Sequence, residues 1–224
     1  MSADAQKGKR RVYIVDDHPL VREWLTNLIN QQADFAVCGE SENAPAAFAG
    51  ICQTRPDVAI VDISLKDSSG IELIKNLKQS CPTVAVLVLS MHEESDYAER
   101  ALRDGARGYV MKRETTRKVI EAVRRVLDGK LYVSEAFADT MASQFVSGKN
   151  LAHQSPVEQL SDRELAVFEM LGRGSGTRQI AESLLISPKT VQAYCARIKE
   201  KLNVASGNEL LRRAIRWADT KHPH

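Results

Sequence analysis

VAVLVL, residues 84–89, places six apolar side chains in a row with no polar alternation. A run this short and this uniformly apolar is expected of a central strand covered on both faces. Working outward, VAIV at Val58–Val61 has the same character and ends at Asp62, and RVYIV at Arg11–Val15 is stopped by Asp16-Asp17. Phe35–Cys38 and Gly108–Met111 are shorter runs of the same kind. Helical patterns fill the gaps. Pro19 suits the first turn of a helix with Val21, Trp24, Leu25, Leu28 and Ile29 on one side. Further helices are predicted over Ala44–Thr54, over Gly70–Leu77 with Pro82 marking the break, over Ser95–Arg103 up to Gly105, and over Thr116–Leu127 up to Gly129. Five strand–helix units in succession require right-handed crossovers, hence a flavodoxin-like (βα)5 doubly wound parallel sheet.

Beyond residue 130 the pattern changes. Ser134 is expected to cap a short helix through Phe145, and SGKNLAHQSP then reads as a flexible tether. From Leu160 the signals are purely helical. Ser161-Asp-Arg-Glu164 is a capping box, and glycines 172, 174 and 176 end that helix. Thr177 is placed as the cap of a helix over Arg178–Leu184, and Ser187-Pro188 starts a third helix running to about Leu202. Ser206 or Asn208 begins a fourth that ends near Asp219. The class is α/β plus all-α: an α/β domain at 10–130, a linker at 131–155, and a four-helix domain at 156–224.

Composition narrows the function classes. The 224 residues are 43% hydrophobic and 27% charged, as in folded globular chains. No apolar run approaches the roughly 18–20 residues of a membrane span, and MSADAQKGKRR lacks the apolar stretch of a secretory signal. Cys38, Cys52, Cys81 and Cys195 show no metal or CxxC spacing, so they read as small buried hydrophobes of a reducing cytoplasm. The net charge of +2 divides unevenly: 17 Lys/Arg against 18 Asp/Glu over 10–130, 11 against 8 over 156–224. The mild positive balance of the second part permits nucleic-acid binding without demonstrating it.

In open parallel sheets, ligands sit beyond the carboxyl ends of the strands. At those ends stand Asp16 and Asp17, Asp62, Ser90 and Lys112. Three carboxylates gathered there repel one another, and a hard divalent cation such as Mg²⁺ neutralises them while keeping ligand positions for a phosphate. With the metal and Lys112 flanking it, Asp62 becomes a nucleophile toward a phosphoryl group. Mg²⁺, the ammonium and the Ser90 hydroxyl would meet the charge on its oxygens. Taken singly these residues have plainer readings: Asp17 a helix cap, Ser90 a turn residue, Lys112 a solvated charge.

VDDHPLVRE, DVAIVDISLKDSSGIELI, VLVLSMHEE and GARGYVMK resemble the receiver domain of two-component response regulators, over residues 11–128. The resemblance implies Asp62 as phosphoacceptor and Asp16 with Asp17 as the metal pair. It adds the Ser64 backbone carbonyl as a metal ligand, Ser90 and Tyr109 as switch residues, and Lys112 as the phosphate-pairing lysine. Lys66 stands where many receivers have proline, which bears on loop rigidity and phosphoryl lifetime.

Three short helices with a tight turn between the second and third suggest a helix-turn-helix. In the third, Val191, Cys195, Ile198 and Leu202 form one apolar stripe. The opposite face carries Lys189, Gln192, Ala193, Ala196 and Lys199 or Glu200, with Arg197 and Lys201 nearby. Gln192 suits adenine, and the basic residues suit phosphates. On charge alone, a plain helical bundle with a solvated basic face is the stronger reading. LSDRELAVFEMLGRGSGTRQIAESLLISPKTVQAYCARIKEKLNV, however, is similar to the LuxR-type helix-turn-helix, and joined to a receiver it gives the NarL/FixJ-type arrangement. That resemblance places Lys189, Gln192, Ala193, Ala196 and Arg197 toward DNA, and Thr177, Arg178, Thr190 and Lys201 toward its backbone. Tyr194 stands where histidine is frequent. Leu210, Leu211 and Ile215 of the last helix are dimer candidates, since that helix carries more apolar surface than a small core needs.

The implied function is a response regulator: a sensor histidine kinase or small phosphodonor phosphorylates Asp62, which controls homodimerisation, DNA binding and transcription. A phosphatase using the same aspartate would need a second general acid and a substrate-binding insertion, and neither is visible. A constitutive DNA-binding or scaffolding protein is the third reading, against which the full acidic set argues.

Overall fold

The computed structural model describes residues 8–65, 68–146 and 156–221. Lys66 and all but the last residue of the predicted tether lie outside them. Two compact units divide between Ser143 and Gln144.

In the first unit, β1 (Arg10–Val15), β2 (Phe35–Ser41), β3 (Val58–Val61), β4 (Ala85–Ser90) and β5 (Gly108–Met111) form one parallel sheet in the order β2-β1-β3-β4-β5. This is the expected flavodoxin-like topology. Helices α1 (Pro19–Asn30), α2 (Ala44–Thr54), α3 (Gly70–Ser80), α4 (Glu94–Asp104) and α5 (Thr116–Leu127) connect and follow the strands. β3 is buried along its whole length, and β4 from its second residue on, as their unbroken apolar runs require. The core joins Val12, Ile14, Ile60, Leu87 and Leu89 to Leu25 and Ile29 of α1 and to Val119, Val123 and Val126 of α5.

β2 continues three residues past the predicted Cys38. Gly39, Glu40 and Ser41 pair with Tyr13, Ile14 and Val15 after a register shift in β1. As an edge strand, β2 needs no apolar residues on its outer half, so its hydrophobic pattern stops before its hydrogen bonds do. Beyond α5, Tyr132 bridges to Gly108 alongside β5, and its carbonyl accepts the Tyr109 N–H at 2.8 Å. Ser134 then caps α6 (Glu135–Val146), its hydroxyl accepting the Phe137 N–H at 3.1 Å.

The second unit holds a short 3-10 helix (Pro156–Gln159) followed by α7 (Asp162–Gly172), α8 (Thr177–Ser183), α9 (Pro188–Leu202) and α10 (Gly207–Lys221). Ser161 and Glu164 form the predicted capping box. The cap of α8 is Gly176, one residue earlier than predicted, and Thr177 is the first helical residue. The Gln179 side chain accepts the Gly176 N–H there, and the glycine, having no side chain, makes no capping bond of its own. Val191, Ile198 and Leu202 of α9 are buried as the stripe requires, whereas Cys195 is half-buried. The three other cysteines are also free and half-buried, rather than buried as their composition suggested.

Candidate functional site

The strand order reverses between β1 and β3, both leaving the sheet at the same end, and there the topology gathers Asp16, Asp62 and Lys112. Lys112 Nζ lies 2.6 Å from Asp16 Oδ2 and 2.6 Å from Asp62 Oδ2, with its side chain only 8% exposed. Gly70 allows this packing, because a Cβ there would collide with the Asp62 carbonyl. Burial raises the Asp16 carboxyl above its usual range; the Asp62 charge pushes it further, and Lys112 opposes both. Burial alone would lower the Lys112 ammonium, yet Asp62 and Asp16 hold it above its ordinary value.

Asp17 is not a helix cap. His18 occupies the cap position of α1 and makes no side-chain capping bond, while Asp16 Oδ1 accepts the His18 N–H at 2.9 Å. His18 Nδ1 lies 2.7 Å from Asp17 Oδ1, out of line for a hydrogen bond, and that buried oxygen accepts none. Asp16, Asp17, His18 and Asp62 offer ligand atoms all within 4.8 Å of one another. Three carboxylates gathered this tightly fit a cation. No role was assigned to His18 from sequence, although its place directly after the paired aspartates was the available signal.

The hydroxyl-bearing residues converge on a second residue that sequence reasoning passed over, His92. The Ser64 N–H donates to Asp62 Oδ1 at 3.2 Å, and the Ser64 hydroxyl shares a 2.6 Å hydrogen bond with His92 Nε2. Ser90 Oγ accepts the His92 N–H at 3.2 Å, and the Tyr109 hydroxyl donates to the His92 carbonyl at 3.0 Å. Tyr109 is buried, which drives its phenol well above the ordinary range. The His92 ring lies 4.4 Å from that of Tyr97 on α4. A histidine two residues past a strand end carries no pattern of its own; only the fold shows that it touches three of the predicted site residues.

In the second unit, Lys189, Gln192, Ala193, Ala196 and Arg197 are all exposed on α9, opposite its buried stripe. Pro188 and the Ser187 cap start the helix, and Ser187 Oγ also meets the Thr190 hydroxyl at 2.8 Å. The Arg197 guanidinium lies 5.5 Å above the Tyr194 ring, which orients it along the exposed face. At the start of α8, Arg178 is exposed and Thr177 half-buried. Lys201 departs from the predicted set: its Nζ is 2.6 Å from the buried Glu164 of the capping box, so its charge is engaged within its own unit. Leu210 departs too. It is 2% exposed and belongs to the core between α7 and α10, where Phe168 and Trp217 meet at 5.8 Å; Leu211 and Ile215 are 39% and 40% exposed. Of the three dimer candidates, Leu211 and Ile215 offer exposed apolar surface and Leu210 is buried.

Among the described residues no helix is long and apolar enough to cross a membrane. Residues 12–124 match the family model of the response regulator receiver domain, and residues 158–214 that of the bacterial regulatory proteins of the LuxR family. The oxygen regulatory protein NreC of Staphylococcus carnosus is 32% identical over 210 residues, covering 92% of this chain and 97% of the relative. A LuxR-family two-component response regulator from Aurantimonas sp. superposes with a TM-score of 0.57 at 32% identity, over 62% of this chain and 99% of the other. RcsB from Salmonella enterica serovar Typhimurium, bound to promoter P1flhDC in the presence of the phosphomimetic BeF3−, gives 0.56 at 25% identity, over 91% and 97%. With the carboxylate–lysine pocket in one unit and the exposed helix-turn-helix face in the other, the chain belongs to the NarL/FixJ-type response regulators, a transcription-regulating family of receiver and LuxR-type DNA-binding domains rather than of enzymes.

Proposed function

We propose that Asp62 accepts a phosphoryl group from a sensor histidine kinase or a small phosphodonor, and that this controls dimerisation and sequence-specific DNA binding. An Asp62 oxygen attacks phosphorus, the P–N bond of a phosphohistidine or the P–O bond of an acyl phosphate breaks, and the leaving group departs with the bonding pair. Asp16, Asp17, Asp62 and the Ser64 carbonyl would hold Mg²⁺, which when bound would supply positive charge to the oxygens of the transferring group. Lys112 is held beside the acceptor for the same charge, and Ser90 donates its hydroxyl to a phosphoryl oxygen. The observation that carries this reading is Lys112 spanning Asp16 and Asp62 while Asp17 and His18 bring further ligand atoms within 4.8 Å of those carboxylates.

The receiver spans 10–130, the linker 131–155 and the DNA-binding domain 156–224, in a cytoplasmic protein. Lys189, Gln192, Ala193, Ala196 and Arg197 face double-stranded DNA, as the likeness to promoter-bound RcsB supports; Thr177, Arg178 and Thr190 meet its backbone. Leu211 and Ile215 supply exposed apolar surface for pairing two copies on a two-fold site. The test is Asp62→Asn. Acetyl phosphate or beryllofluoride should tighten DNA binding by the parent and leave the variant unchanged, as read by fluorescence anisotropy with Mg²⁺ present. An equal response in both proteins overturns the assignment.

A further inference from the structure

The two switch hydroxyls hold the backbone of one residue on either side of its Cα: Ser90 accepts the N–H of His92 and Tyr109 donates to its carbonyl. Displacement of either hydroxyl is therefore delivered to residues 91–93 and to the start of α4. The first residue of α4 is Glu94, an acid that is 7% exposed. Its Oε1 accepts the backbone N–H of Ser134 at 2.9 Å, and Ser134 is the residue whose hydroxyl caps α6. On the other side, the Tyr109 N–H donates to the Tyr132 carbonyl, two residues before that cap. The entry to α6 is thus pinned at Tyr132 by the backbone of the switch tyrosine, and at Ser134 by the helix that follows the switch serine.

We propose that Glu94 is a positioning residue that couples the phosphoacceptor pocket to the segment leading out of the receiver. Resting on the phosphoacceptor reading, it adds the route by which the pocket's state leaves that domain. When Ser90 turns to a phosphoryl group on Asp62, the backbone at His92 follows, the first turn of α4 shifts, and the Glu94 carboxylate carries Ser134 and the cap of α6 with it. A buried carboxylate accepting a backbone N–H is a charge-assisted hydrogen bond, among the strongest neutral-donor contacts available to a helix start.

Glu94→Ala removes the acceptor, and Glu94→Gln keeps an amide oxygen in its place. In full-length protein with Mg²⁺, both variants should take up phosphoryl from acetyl phosphate to the parent's stoichiometry. The ratio of DNA affinities with and without beryllofluoride should fall about tenfold in Glu94→Ala and recover in Glu94→Gln. Amide exchange at Ser134 should quicken about tenfold in Glu94→Ala, the loss of one hydrogen bond to a charged group. A parental affinity ratio in Glu94→Ala, or a Glu94→Gln protein as impaired as Glu94→Ala, overturns the coupling role. Failure of the parent to take up phosphoryl on Asp62 would instead overturn the reading beneath it.

Discussion

Lys112 and Lys189 mark the two ways this chain presents charge. In the receiver pocket, Lys112 is buried between Asp16 and Asp62, three residues from three strand ends meeting within 2.6 Å contacts. On α9, Lys189, Gln192 and Arg197 lie within nine positions of sequence and stand in solvent. The pocket is assembled by topology and has its partners already in place, so its chemistry is poised against internal carboxylates. The exposed face of α9, proposed to meet DNA, is assembled by helical periodicity, and its charges are open to solvent. Damage to the first should register in folding as well as in phosphotransfer, whereas damage to the second should register in binding alone.

The sharpest test of that contrast is Lys112→Ala. It leaves two buried carboxylates without their cation, and breaking a buried pair by removing one partner costs about 3–5 kcal/mol. Chemical unfolding without divalent metal should show a loss of that order. Added Mg²⁺ should restore a larger share of stability to the variant than it adds to the parent, since the metal then neutralises what the lysine did. A Lys112→Ala protein as stable as the parent without metal would mean the pocket is as loosely held as the recognition face.

The opposite end of the comparison concerns DNA. Lys189→Ala or Arg197→Ala should leave the unfolding free energy within about 0.5 kcal/mol of the parent, as exposed substitutions do. Each should reduce the slope of log affinity against log salt by about one if it meets a phosphate. Gln192→Ala should leave that slope unchanged and relax preference at one base pair by about 1–3 kcal/mol, measured by competition with substituted duplexes.

The same contrast explains what was legible beforehand. Unbroken runs such as VAVLVL named the central strands, because burial on both faces excludes polar residues, and the residue after each strand end named Asp16, Asp62 and Lys112. β2 was under-read beyond Cys38, since an edge strand owes its register to hydrogen bonds rather than to apolar side chains. His18, His92 and Glu94 went unassigned because their roles depend on what stands across from them in space. Ser90 and Tyr109 both bond the backbone of His92, and no spacing in a sequence encodes a contact to a backbone atom. Leu210 and Lys201 were over-read for the converse reason. Periodicity marks a residue as apolar or basic, yet only packing shows that Leu210 is buried and that Lys201 meets Glu164.

That last pair bears on the comparison most finely, because Lys201 belongs by position to the binding domain and by contact to its fold. Burial by itself would raise the Glu164 carboxyl. The Lys201 ammonium and the Ser161 N–H outweigh it and hold the group below the ordinary glutamate value of 4.5. A carboxyl lowered in the folded state contributes stability that is present in full above that value and fades as pH falls through the lower, folded one. In a Trp24→Phe background, fluorescence of Trp217, which sits against Phe168, reports the helical unit alone. Lys201→Ala should lower its unfolding free energy in urea by about 1 kcal/mol at neutral pH, the lysine being partly exposed. It should also flatten the acid side of the stability profile below 4.5, where the parent loses the pair in any case. The salt slope of DNA binding should change by less than it does in Arg197→Ala, because an ammonium committed to Glu164 releases few counterions from a phosphate. A slope reduced as much as in Arg197→Ala would return Lys201 to the recognition face and show that its internal pair yields to DNA.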